Sequence, residues 1–352
     1  MNPTELQEAP VHGGGASYAY SSRAPVVTVV IPTFQRPELV LRAVRSVLAQ
    51  TFHAFEVVVV SDGPDPSLAP LLDSLGDGRV RCVELAAHGG ANAARNGGAE
   101  AARGRWVALL DDDDEWLPGK LTAQMAAAER SRYASPIVAC QLLRRTPRAA
   151  FVLPRRLPEP GEHISDYLFV RRGLFHGEGL IQTSTILAPR ALFLRVPFAV
   201  GLRRGQETDW LLRAFAEPGV GLEVVPETLV LWHTDENRPR MMLNHGVWEA
   251  TFAWMKESRP RLTPRAYAAY LMSVLSDMAK HEGAWGASRQ LLSEAVRRGS
   301  PGPLECLTFF NIWVLPLELR HALRDRLLAQ GNPRPRYRRP LATPREVPSI
   351  AP

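Results

Sequence analysis

The chain has 352 residues, a net charge of +6, 45% hydrophobic residues and 22% charged ones, which is enough for one large α/β domain with a smaller one appended. This is an ordinary soluble composition, the odd cysteine count argues against a disulfide framework, and no run approaches the roughly 18 apolar residues of a membrane span. Lysine occurs only at Lys120, Lys256 and Lys280, so arginine carries most of the positive charge; the basic balance admits an anionic partner (a nucleotide, an anionic lipid or a nucleic acid) and selects none.

Residues 1–24 are polar, contain Gly13, Gly14 and Gly15, and lack an apolar signal core, so a flexible arm is expected. Residues 26–31 form a β-branched run, the mark of a buried strand. Residues 37–50 set Leu39, Val40, Ala43, Val44, Val47 and Leu48 along one helical stripe. Strands are then expected at 56–61, 79–85 and 106–110. Helices are expected at 68–75, at 90–102 and at 118–130, the last opened by Pro118 at its first position. Repeated βα units of this length imply a parallel, doubly wound sheet with ligands at the carboxyl ends of its strands.

Beyond residue 132 the rhythm changes. Strands are expected at 137–143, 181–187 and 223–231, with an Arg- and Pro-rich connection at 144–162. A helix is expected at 206–217, stopped by Pro218 and Gly219. From about residue 240 only helical patterns remain, at 247–257, 264–281, 284–298 and 304–330. Residues 331–352 are rich in Pro and Arg and are expected to be disordered. Cys82, Cys140 and Cys306 lie far apart with no metal-ligand spacing, which fits a reducing, cytoplasmic compartment.

The densest chemistry follows the fourth strand: Asp111, Asp112, Asp113, Asp114 and Glu115 are consecutive. Adjacent carboxylates repel one another and are costly to desolvate. A divalent cation shared with a phosphate-bearing substrate is the economical explanation. Other loops share that sheet edge. Residues 32–36 offer Phe34 and Arg36 to a base and a phosphate, and Asp62 can hydrogen-bond a base or ribose edge. Residues 88–96, with Arg95, join small residues to a helix start that favours anions.

In order, residues 28–36, 46–51, 61–63, 94–97 and 110–118 resemble the family 2 glycosyltransferases, a large inverting family with the GT-A fold. The resemblance runs from residue 26 to about 118 and resumes at 182–213. It implies a Rossmann-like, mostly parallel sheet with helices on both faces, followed here by a small helical C-terminal domain. The expected layout is an arm at 1–24, a GT-A domain at 25–239 (nucleotide-binding half 25–118, acceptor-side half 119–239), a helical domain at 240–330 and a tail at 331–352.

The resemblance also implies a nucleotide-diphosphate sugar donor, a UDP-sugar first, and a Mn²⁺ or Mg²⁺ ion. Asp113 stands where the metal bridging the diphosphate is held, with Asp111 a second candidate ligand. Asp111 or Asp112 lies nearer the ribose. Pro32, Thr33, Arg36 and Asp62 match positions framing the base, with Phe34 beside them, and Arg95 matches one close to the nucleotide. Inversion requires a carboxylate to take the proton of the acceptor hydroxyl. Residues 205–213 resemble the base-bearing helix start, with Glu207 where the family usually has Asp; Asp209 is the competing candidate. His233 stands where some related enzymes carry a metal-binding His, against the alternative of a structural histidine. The acceptor could be a sugar, a lipid-linked sugar or a peptide, and surface-polysaccharide assembly is the usual setting.

Peripheral contact with the inner face of the plasma membrane through residues 307–319, and a homodimer, stay open. Nucleic acid is not expected, because the acidic patch in the cleft would repel a phosphate backbone. A nucleotidyltransferase, the alternative enzyme class, usually needs a Gly-rich loop after the first strand, and residues 32–36 contain no glycine.

Overall fold

A computed structural model describes residues 6–7, 24–146, 150–173, 178–202, 204–234, 247–315 and 319. In chain order the elements begin with β1 (Leu6–Gln7), β2 (Val27–Thr33), α1 (Pro37–Leu48), β3 (Phe55–Ser61), α2 (Leu68–Asp73), β4 (Val80–Leu85) and α3 (Ala91–Ala101). They continue with β5 (Trp106–Leu109), β6 (Glu115–Trp116), α4 (Lys120–Arg130), β7 (Ser135–Arg145), β8 (Ala150–Leu153), α5 (Ile164–Phe169), β9 (Leu187–Pro189), α6 (Arg190–Arg195), α7 (Gln206–Ala214) and β10 (Val220–His233). The last are α8 (Val247–Ser258), α9 (Pro264–Tyr270), α10 (Ser276–His281), α11 (Ala287–Arg298) and α12 (Pro303–Val314).

The sheet order is β1-β4-β3-β2-β5-β9-β7-β10-β6, with β8 paired to β7. Strands β4, β3, β2 and β5 are mutually parallel, as are β7 and β10. Strand β9 runs antiparallel between β5 and β7 and joins the two parallel sets. Alternation explains why helices cover both faces. Val27, Val29 and Ile31 of β2 enter one core cluster, with α1, α2 and α4. Val30 enters the other, with α3, α6 and α7. Both sets are fully buried, so a continuous β-branched run is the signature of this strand. Gly98 lets α3 lie close: a Cβ there would sit 2.2 Å from Val30 Cγ1.

Several expectations need correction. Strand β2 continues through Pro32 to Thr33 instead of ending at the proline. The β5 ladder stops at Leu109, paired with Val30, so the missing Pro32 N–H leaves no rung unmade on that side. Pro118 does not open α4. Its carbonyl accepts the Thr51 amide at 2.9 Å, pinning it to the end of α1, and the helix begins at Lys120 with Gly119 as its N-cap.

Residues 181–187 are not one strand. The Gln182 side chain accepts the Ser184 amide and the Thr185 hydroxyl donates to the Gln182 carbonyl, making a 3₁₀ turn at Thr183–Thr185 before β9. The connection at 144–162 holds a strand, β8, antiparallel to β7, and Glu115–Trp116 forms a short strand against β10. The helix expected at 264–281 is broken by a π segment, Leu271–Leu275. Of the expected arm, Leu6–Gln7 pairs antiparallel with β4. The rest of residues 1–23, the helix expected beyond residue 319 and the tail at 331–352 lie outside the described residues.

The helices α8 to α12 pack around Trp248, Met255, Tyr267, Leu271, Leu275 and Leu291. They meet the α/β part through Trp254 and Leu262, which touch both its second core and their own.

Candidate active site

The carboxyl ends of β2, β3 and β5 converge with the start of α7. At the tip of β2, the Thr33 hydroxyl donates to Asp112 Oδ2 at 2.8 Å, and Arg36 Nη1 donates to Asp112 Oδ1 at 3.2 Å. Arg36 also lies 4.0 Å from the Asp113 carboxylate. Between them Gln35 adopts a left-handed φ of 53°, which turns the chain sharply out of the strand. Phe34 is 43% exposed, and its ring lies 4.5 Å from that of His88, forming an aromatic lip.

Asp62 is buried, and its carboxylate is engaged by the neighbouring loop. Gly89 N–H donates to it at 2.8 Å, as does Gly90 N–H, and His88 Nδ1 lies 2.9 Å from Oδ2. It thereby fixes the loop that starts α3 and the ring that flanks Phe34. Arg95, buried on α3, donates to Asp111 Oδ1 and to Gln206 Oε1, both at 2.7 Å, and to Asn92 Oδ1 at 2.9 Å. The arginine thus ties the acidic loop to the first residue of α7.

The acidic run is divided in character. Asp113 and Asp111 keep partly exposed side chains, at 33% and 25%. Asp112 is buried; desolvation pushes its carboxyl up to about 6, against the Thr33 hydroxyl and the Arg36 charge. Asp114 is fully buried. Its Oδ2 accepts from Ser184 Oγ at 2.7 Å and Gln182 Nε2 at 2.9 Å, whereas its Oδ1 has no hydrogen-bond partner. Burial, then the charges of Asp111 and Asp113, drive its pKa well above the carboxylate range. Ser184 Oγ also accepts the Asp111 amide at 3.0 Å, and Trp116 Nε1 donates to the Ser184 carbonyl. The turn at 182–185 is therefore registered against the acidic loop.

On α7, Asp209 is fully committed. It pairs with Arg213 at 2.7 Å and accepts Trp254 Nε1 at 2.9 Å. Glu207 is different. Burial of its carboxyl raises its pKa, offset in part by its own backbone N–H and the Arg95 charge. Gly205, left-handed at φ 67°, is the N-cap of the helix, whose first residue, Gln206, is tied through Arg95 to Asp111.

His233 is buried at the end of β10, and its Nε2 lies 2.7 Å from Glu115 Oε1. That bond holds the Glu115 carboxyl below its usual value. Among the described residues no group of three or more His, Cys, Asp or Glu side chains is placed to hold a metal alone. Asp113 and Asp111 supply hard oxygen donors at a partly exposed lip, which fits a Mg²⁺- or Mn²⁺-type ion taking one or two carboxylates and the rest of its ligands from phosphates. Trp210 is core: its ring stacks on Phe193 and Phe198 and its Nε1 donates to the Val196 carbonyl.

The residues that sequence reasoning missed are Gln206, His88 and the buried role of Asp114. The first two carry no motif of their own, and the third is hidden in a run of identical residues.

Comparison with known proteins bears on this geometry. Residues 28–159 match the sequence profile described as "Glycosyl transferase family 2". WcaA of Escherichia coli (strain K12), by name a colanic acid biosynthesis glycosyl transferase, is 25% identical over 283 residues, covering 78% of this chain and 95% of that protein. WfaP of Escherichia coli, named as a UDP-Glc:alpha-D-GlcNAc-diphosphoundecaprenol beta-1,3-glucosyltransferase, is 27% identical over 107 residues, 30% of this chain and 43% of that protein. The crystal structure of S. aureus TarS 1-349 in complex with UDP-GlcNAc superposes with a TM-score of 0.51 at 18% identity, covering 67% of this chain and 66% of that one. The fold is of this GT-A-like kind, with a helical region following it.

Proposed function

We propose, from a chain that belongs to glycosyltransferase family 2 across residues 28–159, an inverting glycosyltransferase that moves a sugar from a nucleotide-diphosphate sugar to an acceptor hydroxyl in polysaccharide assembly. A UDP-sugar is the first donor to test, since the names of WfaP and the TarS complex both carry one. A lipid-linked sugar is the first acceptor, on the name of WfaP. The polysaccharide setting follows the name of WcaA.

The nucleotide lies across the tips of β2, β3 and β5. The Phe34–His88 ring pair would flank the base, a reading that their contact at the cleft mouth supports, and Thr33 and Arg36 hold Asp112. Asp113, with Asp111, would hold a Mn²⁺ or Mg²⁺ ion; when bound, that ion neutralises charge developing on the diphosphate. In the transfer, the acceptor oxygen bonds to the anomeric carbon from the face opposite the leaving group. The bond from that carbon to the diphosphate oxygen breaks, and the nucleoside diphosphate leaves with the electron pair. The acceptor proton passes to Glu207, whose proton affinity burial raises. The observation that carries the reading is the division of labour on α7, where Asp209 is spent on Arg213 and Trp254 while Glu207 sits in the field of Arg95 and Asp111.

The test is Glu207→Gln with transfer and donor binding measured in parallel. Transfer should fall by about 10²–10⁴-fold with donor affinity kept. Full transfer by this variant would remove Glu207 from the mechanism. Retained configuration at the product's anomeric carbon would overturn inversion, and donor binding untouched by a chelator would overturn the cation.

A further inference from the structure

Helix α12 is built the wrong way round for a surface helix. Its inward face packs Phe309 and Ile312 into the helical layer, and its one acidic residue, Glu305, is buried. Its outward positions are Pro303, Leu307, Phe310, Asn311 and Val314, with no charge among them. Leu307, Phe310 and Val314 are 47%, 60% and 71% exposed and fall at i, i+3 and i+7, on one side of the helix. Trp285, 60% exposed, extends the patch through Trp313, whose ring is 6.0 Å away. A water-facing stripe would carry charged side chains.

The sequence behind the helix supplies the complement. Residues 315–352 contain eight arginines against three acidic residues, so five of the chain's six net positive charges lie in that stretch. An apolar stripe and a basic segment are the two signals that together hold a protein on an anionic bilayer, where either alone is weak. Trp285 and Trp313 belong to the residue type enriched at the headgroup level. A second copy of the chain would carry the same net charge of +6, which disfavours self-association.

We propose that the outward face of α12, with Trp285, docks on the surface of an anionic phospholipid bilayer. No helix among the described residues is long and apolar enough to cross one, so the contact is peripheral. This surface does not depend on the reaction assigned above, and its test needs no substrate.

The full chain is sedimented with vesicles of phosphatidylcholine alone and of phosphatidylcholine mixed with phosphatidylglycerol. Binding is expected to the anionic vesicles, weakening as salt rises, and little to the neutral ones. The double variant Phe310→Ser with Val314→Ser alters exposed side chains only; it should lower vesicle affinity at least about tenfold and leave the circular dichroism melt in place. Replacing Arg334, Arg336, Arg338 and Arg339 by Gln should remove the preference for anionic lipid. Full-chain protein that stays in the supernatant with both vesicle types overturns the proposal. So does a dimer in light scattering that the double variant dissociates while vesicle binding is unchanged.

Discussion

Asp114 shares a run with Asp111, Asp112 and Asp113 but not their environment. Asp111 and Asp113 stay partly exposed and Asp112 is held by Thr33 and Arg36, whereas Asp114 is sealed beneath Gln182 and Ser184 with one oxygen unpaired. A buried donor left without its acceptor costs about 1–3 kcal/mol. Asp114→Ala, which strands the Ser184 hydroxyl and leaves Gln182 Nε2 its 3.4 Å contacts to Asp111 and Ser184, should destabilise by about that amount and lower kcat more than the donor KM. Asp114→Asn, which keeps an acceptor oxygen, should recover most of the stability in denaturant melts. Lys120 is a second buried charge. It is fully enclosed, its ammonium lies 3.7 Å above the Trp116 ring, and burial lowers its pKa from 10.5 to about 8. Between those two values the unfolded chain holds the proton that the folded chain has released, so this group adds stability as pH rises from about 8 to 10.5. Lys120→Met should remove that rise. Urea melts at intervals across the window should show the variant's advantage, on the order of 1–3 kcal/mol near neutral pH, shrinking as pH increases.

At the scale of elements, the parallel set β4-β3-β2-β5 was legible because it is buried on both faces. Val27–Ile31 and Val57–Val60 have no polar alternation to confuse them with surface strands. The elements that sequence missed depend on distant partners. Glu115–Trp116 becomes a strand only against β10, more than a hundred residues on, and the turn at 182–185 is set by side-chain capping with no periodic signal. Close packing of α3 on β2 is open to a direct test. Gly98→Ala drives a methyl to within 2.2 Å of Val30 Cγ1, against a fully buried strand that cannot yield. The expected loss is about 1–3 kcal/mol of unfolding free energy; an unchanged melting temperature would show that the helix can ride outward.

For the whole molecule, the choice between Glu207 and Asp209 was beyond the reach of the sequence, because it rests on Trp254, which lies 45 residues after Asp209 in another layer. Five ordered motifs mark the acidic cleft, while the contact that engages Asp209 is tertiary. That same contact couples the helices α8 to α12 to α7. Trp254→Phe removes the indole N–H together with part of the ring, and its cost should be at least about 1.5–3 kcal/mol, that of a hydrogen bond to a charged group. Amide exchange in α7 should quicken, and kcat should fall with little change in donor KM. The placement of β9 has a further consequence, in the order of synthesis. Strands β2 to β5 are complete when Leu109 is made, yet the free side of β5 finds its partner only at Leu187–Pro189, about 80 residues later. At ~5–20 residues per second on the ribosome, that edge stands open for roughly 4–16 s. A nascent chain with a long naked edge invites pairing with its neighbours; at four residues, β5 is short enough to blunt that hazard until its own chain closes it.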